Sequence, residues 1–215
     1  MWASGNVLDP LERACEILFG VIMVMTFTGS ISVAEHGRGE IRDVLISALG
    51  CNLAWGIVDA GMYLMGRFTE RARDLITLKA IQDTNDRTEA HRLIDEVLPP
   101  IISKQADAGD LDKMHSWLRA RPLPPGHVTF TRMDWIGALA VFLLVFLSTF
   151  PVVIPFLLMH DAATALRLSH GIAIGMLFLV GWRIGAHTGH SPWRVGATMV
   201  VVGTALAAGT MALGG

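Results

Sequence analysis

The chain has 215 residues, 52% of them hydrophobic and only 17% charged, with a formal net charge of −2. Its charges are gathered into a few blocks between long apolar runs, the composition of a protein that crosses a membrane several times. The close balance of acids and bases excludes a strongly basic field, so no nucleic-acid partner is expected.

Ahead of the first apolar run stand Asp9, Glu12 and Glu16 against Arg13 alone. A secretory signal begins with positive charge, so the small-x-small step Ser32-Val33-Ala34 is not read as a cleavage site. Ile17–Ala34 is instead the first predicted membrane span. The second, Val44–Gly66, is as long as the roughly 20 residues that cross a bilayer core, and its only charge is Asp59. An ionisable group at such depth costs roughly 2.5–3.5 kcal/mol on insertion scales, and it usually faces a bundle interior or a watery path.

Residues 67–132 are too polar to enter a bilayer and rich in helix formers. Three helices are predicted there. One continues the second span through Leu75, Leu78 and Ile81; one runs from a cap at Thr84 or Asn85 to Val97, ahead of Pro99-Pro100; one covers about Asp110–Arg119. Leu75, Leu78, Ile81, Leu93, Val97, Met114 and Trp117 are expected to pack inward. The segment Pro122 to Gly126 then turns the chain back toward the membrane.

The third span, Trp135–Met159, contains Pro151 and Pro155. Each removes a backbone hydrogen bond, so a kink or break is expected. The fourth span, Leu168–Trp182, is short and flanked by Arg167 and Arg183, which can snorkel. It carries Gly171 and Gly175, followed by Gly181 and Gly185. The last span, Val195–Gly215, carries Gly196, Gly203 and Ala207. Such spacing suits close helix packing. His187 and His190 lie three apart, but Gly189 and Ser191-Pro192 point to a turn rather than to a ligand pair.

The expectation is therefore an all-α membrane protein of five transmembrane helices per protomer, with a small cytosolic helical insertion between the second and third. Its parts are residues 1–66, the insertion 67–132, and residues 133–215. With the amino terminus inside, fourteen Lys and Arg fall on the inner side and only Arg38, Arg42 and Arg167 on the outer, which orients the chain. Cys15 and Cys51 form no CxxC pair and are read as buried free thiols. No nucleophile with a neighbouring base, phosphate loop or HExxH stretch occurs, so an enzyme is not expected.

Asp59 is the centre of the candidate chemistry. Met62, three residues on, shares its helical face, and the first span offers Met23, Met25, Thr26 and Thr28. A carboxylate with thioethers and hydroxyls suits a divalent ion such as Fe²⁺ or Mn²⁺. The same residues also suit a polar packing contact of Asp59 with Asn52, seven positions earlier, the methionines filling an irregular core. In the insertion, Asp86 with Glu89, His91 with Asp95, and Asp110 with Met114 have helical spacings compatible with metal binding, and equally with a solvated face.

The second span, Val58-Asp59-Ala60-Gly61-Met62-Tyr63-Leu64-Met65-Gly66-Arg67-Phe68, resembles the A-D-G-x-S-M-x-x-G-E-Y stretch of the vacuolar iron transporter family. Phe150–Phe156 resembles that family's proline-rich third span, and Arg194–Gly209 its last, rich in glycine and alanine. Tyr63 replaces the family's methionine, Met62 its serine and Arg67 its glutamate, while Ile22-Met23-Val24 stands in place of an asparagine-aspartate-glycine step. The resemblance spans nearly the whole chain. It implies a homodimer in a lipid bilayer that exports Fe²⁺ or Mn²⁺ from the cytosol in exchange for protons, with no permanently bound cofactor. It further implies a path through Asp59, Met23, Met62, Glu16 and Asn52, and metal contacts at Asp59, Asp86, Glu89 and Met114. The competing expectation is a non-transporting membrane scaffold whose cytosolic helices bind a partner protein.

Overall fold

The computed structural model describes residues 8–33, 38–123 and 128–213. The expected turn at Pro124–Gly126 and the run ends at Ala34 and Gly215 lie outside them. The described residues are helical without strands: α1 (Pro10–Val33), α2 (Arg38–Asp83), α3 (Arg87–Val97), α4 (Pro100–Ser103), α5 (Ala108–Arg119), α6 (Arg132–Leu147), α7 (Phe150–Leu158), α8 (Ala162–Thr188) and α9 (Pro192–Ala212). Four stretches among them are long and apolar enough to cross a membrane: Leu45–Asp83, Arg132–Leu158, Ala162–Thr188 and Pro192–Ala212. The chain divides into two compact units, one formed up to Tyr63 and from Arg132 onward, the other by Leu64–Thr131.

In the first unit the core is aliphatic and small. Val21, Val24 and Met25 of α1 meet Val152 and Val153 of α7, Ala173 and Leu177 of α8, and Ala207 of α9. Glycines let α8 and α9 approach closely. A Cβ on Gly181 would lie 2.7 Å from Met199, one on Gly196 2.8 Å from Phe178, and one on Gly203 2.8 Å from Leu177. By contrast, Gly171 and Gly175 face open space. The fourth run proves longer than its apolar stretch. Asp161 caps α8 by accepting from the Thr164 amide, and Gly189, at φ 72°, closes the other end in the left-handed conformation that a side chain disfavours. This Gly189 turn separates His187 from His190, whose Nδ1 lies 3.1 Å from the Thr188 carbonyl.

The third run is broken, at Ser148-Thr149. Pro151 has no N–H to donate and its ring crowds the Leu147 carbonyl, so α6 stops and α7 restarts with Pro151 in its first turn. The hydroxyls at the break cover freed carbonyls, Ser148 donating to Val145 O at 2.8 Å and Thr149 to Phe146 O at 2.7 Å. From α8, Ser169 donates to Val152 O at 2.7 Å.

In the second unit α3 packs on α5. The cap of α3 is Asp86, which accepts from the Thr88 amide, rather than Thr84 or Asn85, because a carboxylate one residue nearer the first turn reaches the N–H groups directly. Asp107 caps α5 in the same way. Ile81, Ala90 and Ile94 form the buried centre. Val97 and Trp117, expected inside, are exposed. Val97 ends its helix just before the prolines, and Trp117 carries the Arg121 guanidinium on its ring face at 4.0 Å. Cys15, expected buried, is exposed on α1, whereas Cys51 is half-buried; both are free.

Candidate functional site

The polar features of the first unit converge where α1 and the early part of α2 run antiparallel. Three rungs define their register. Asn52 Nδ2 of α2 donates to the Gly20 carbonyl of α1 at 3.3 Å. The Phe19 and Trp55 rings meet edge to face, 5.8 Å apart. One further turn along, Glu16 of α1 and Asp59 of α2 are near enough for their carboxylates to repel each other. Both are half-buried. Seven residues separate Asn52 from Asp59, about 10 Å or two turns at 1.5 Å per residue, so both project from nearly the same side of α2.

Two carboxylates near enough to repel on neighbouring helices relieve that repulsion by taking up a proton or by binding a cation. The rung below them is a polar dead end. Asn52 is fully buried, and its Oδ1 has no hydrogen-bond partner, a state that costs about 1–3 kcal/mol. Gly20 explains why α1 fits there. A Cβ on it would fall 2.2 Å from Ser148 Oγ and 2.5 Å from the Val145 carbonyl, so the α6–α7 break, the α1 backbone and Asn52 adjoin one another.

The structure thus brings together three of the five expected path residues: Glu16, Asp59 and Asn52. Met23 is half-buried on α1, about two turns from Glu16. Met62 is 60% exposed on the outer face of α2 within the protomer. Tyr63 lies on α6 instead, its ring within 2.6 Å of where a Gly137 Cβ would be.

Sequence reasoning missed two contributors, Gly20 and Ser148, and one buried carboxylate, Asp134. Gly20 and Ser148 offered nothing beyond a small residue in an apolar run. Asp134, at the first turn of α6, is only 2% exposed; it sat one residue outside the predicted span, and a carboxylate among the first N–H groups of a helix was the clue available.

In the second unit the expected metal contacts are dispersed. Asp86 caps α3, and Glu89 pairs with Arg92 at 2.7 Å; the hydrogen bond to Arg92 holds the Glu89 carboxyl below its ordinary range. Met114 and Asp110 line a groove of about 440 Å³ with Ile102 and Gln105, without Asp86 or Glu89. His91 turns away from its helical neighbour Asp95 and meets Asp112 of α5 at 2.8 Å, where Arg87 also binds. Hydrogen bonds from Arg87 and then His91 lower the Asp112 pKa. This is a charged clasp between α3 and α5. Among the described residues no three of His, Cys, Asp and Glu converge on one point.

Comparison with curated proteins finds no match. The VIT family model matches residues 98–215, from α3's C-terminal edge to the end of the chain. The matched stretch includes the broken third run and the glycine-packed α8–α9 pair, and it begins after the α1–α2 crossing, so it is shorter than the resemblance read from the sequence. With more than half of its residues matched, the chain belongs to the VIT family, the vacuolar iron transporters, membrane metal-ion transporters.

Proposed function

We propose that this protein carries Fe²⁺ or Mn²⁺ out of the cytosol in exchange for protons, as a homodimer of five-span protomers with residues 67–132 as a cytosolic insertion. The observation that carries the reading is the approach of Glu16 and Asp59 on two antiparallel helices. A carboxylate pair has the two properties that exchange needs, affinity for a divalent ion when empty of protons and affinity for a proton when empty of the ion. Asp59 and Glu16 are the oxygen ligands, Met23 is a thioether farther along α1, and Asn52 closes the polar column. The fifth span is α1, whose run from Ile17 is apolar apart from hydroxyls.

Dimerisation gives a role to what one protomer leaves open. Met62 is exposed on α2, and Gly171 with Gly175 present a flat facet on α8; a second copy against α2 brings Met62 toward the path.

The test is Asp59→Asn in proteoliposomes, with Fe²⁺ and Mn²⁺ flux followed beside a pH-sensitive dye. Asparagine keeps size and hydrogen bonding and removes the charge. Flux should be lost while helicity and insertion are unchanged. Equal flux from both forms would make Asp59 structural, and no flux from the folded native protein would favour the scaffold.

A further inference from the structure

Two grooves flank α1 near its amino-terminal end and share Arg13 and Ile17. One, of about 800 Å³, lies against the last turns of α8 and is lined by Arg13, Arg183 and His187 at one end and Leu179 and Val180 farther in. The other, of about 760 Å³, leads from Arg13 past Leu143, Leu144 and Leu147 to Pro151 at the α6–α7 break. The first is cationic where the second is almost entirely aliphatic. Asp9 is the one carboxylate lining the cationic end, against two arginines. Arg13 uses two N–H groups on the Leu8 carbonyl, at 3.2 and 2.9 Å, and a guanidinium has five.

Along α8, residues 180, 183 and 187 follow a spacing of three and four, so Val180, Arg183 and His187 form one stripe beside α1. The stripe runs from apolar to basic toward the helix end, which in a membrane is the direction from hydrocarbon to headgroup.

We propose that these grooves hold one anionic phospholipid, its phosphate between Arg13, Arg183 and His187 and an acyl chain in the aliphatic groove. Charge complementarity selects this occupant. A neutral hydrocarbon chain needs no arginines, and a soluble anion needs no aliphatic trough. Basic pockets between membrane helices are a physical match for anionic headgroups. The site lies beside the carboxylate pair on α1 and stands whether or not the protein transports a metal.

The full-length protein is exchanged into vesicles of phosphatidylcholine with phosphatidylglycerol, and the lipids that survive release from detergent are counted by native mass spectrometry. Phosphatidylglycerol should be retained in preference to phosphatidylcholine. Arg183→Gln, at an exposed position, should weaken that preference about five-fold, the effect of one arginine at a membrane surface. Leu143→Trp, which fills the aliphatic groove and leaves the charges alone, should also release the lipid, and glycerol phosphate should not displace it. Equal retention of both lipids, unchanged selectivity in Arg183→Gln, or displacement by glycerol phosphate alone would each overturn the proposal.

Discussion

The α8–α9 hairpin and the α1–α2 crossing solve the same problem, two helices packed in a membrane unit, by opposite means. Between α8 and α9 the contact is made of absences: Gly181, Gly196 and Gly203 remove side chains so that Met199, Phe178 and Leu177 can settle onto backbone. No charge is involved. Between α1 and α2 the contact includes an amide on a carbonyl and an aromatic pair, with two carboxylates one turn farther along near enough to repel. A pair that needed only to pack would use the first solution, since lipid offers no compensation for an unsatisfied acceptor or a crowded charge. The polar crossing is the one that carries an energetic cost, in an unpartnered buried Asn52 oxygen and two nearby carboxylates, and the proposed transport path gives that cost a reason.

The largest effect that tests this contrast is expected at the carboxylates. Glu16→Gln should reduce cation flux by well over ten-fold, and combined with Asp59→Asn it should add little, because either change alone dissolves the pair. Independent, additive losses in a double-mutant cycle of flux would break the claim that the two act together.

Next comes the glycine pair. Gly203→Val drives a branched side chain into Leu177 and should destabilise the fold by about 1–3 kcal/mol, the usual range for overpacking, lowering the thermal midpoint in detergent. Should Gly203→Val melt like the native protein, the α8–α9 contact is looser than its geometry indicates.

Asn52→Leu sharpens the comparison further. It removes a buried acceptor that lacks a partner, so stability should hold or rise slightly while flux falls. A destabilised protein with normal flux would reassign Asn52 to packing.

The smallest effect lies in the second unit. Arg87 and His91 pull the Asp112 pKa below its ordinary 3.8. A depressed carboxylate contributes stability above its unfolded value and loses it as pH falls through the folded one. Amide exchange in α3 and α5, corrected for intrinsic rates, should therefore quicken only below about pH 4. In Asp112→Asn it should already be quick at neutral pH and indifferent to acid; acid sensitivity that survives the substitution would place it elsewhere.

What the sequence disclosed follows the same division. Runs of apolar residues, prolines and glycines write themselves into local pattern, so the helices, the broken third run and the close α8–α9 packing were legible. Asp59 was legible because one charge in an apolar run is conspicuous. Its partner was harder. Glu16 was named on the path only through the family resemblance, since nothing in a linear reading gives the register that sets it near Asp59 rather than near Arg67 or solvent. The same blindness to register hid Gly20 and Ser148, and it gave His91 to Asp95 on its own helix instead of Asp112 on the next. Val97 and Trp117 were placed inside because helical periodicity reports a face without saying whether a neighbour reaches that far.

The break at Ser148-Thr149 has a mechanical consequence. A continuous helix passes bending along its whole length, because every turn is tied to the next. Here the tie is cut and the loose ends are secured locally by their own hydroxyls, so flexing the joint breaks few bonds. Both halves touch α1, the first with Ser148 against Gly20 and the second through Val152 and Val153, and the second is also fastened to α8 through Ser169. A bend between α6 and α7 is thus absorbed at the joint instead of running through both halves, while α1, which carries Glu16, is coupled to α8 and α9 directly through Val24, Leu177 and Ala207.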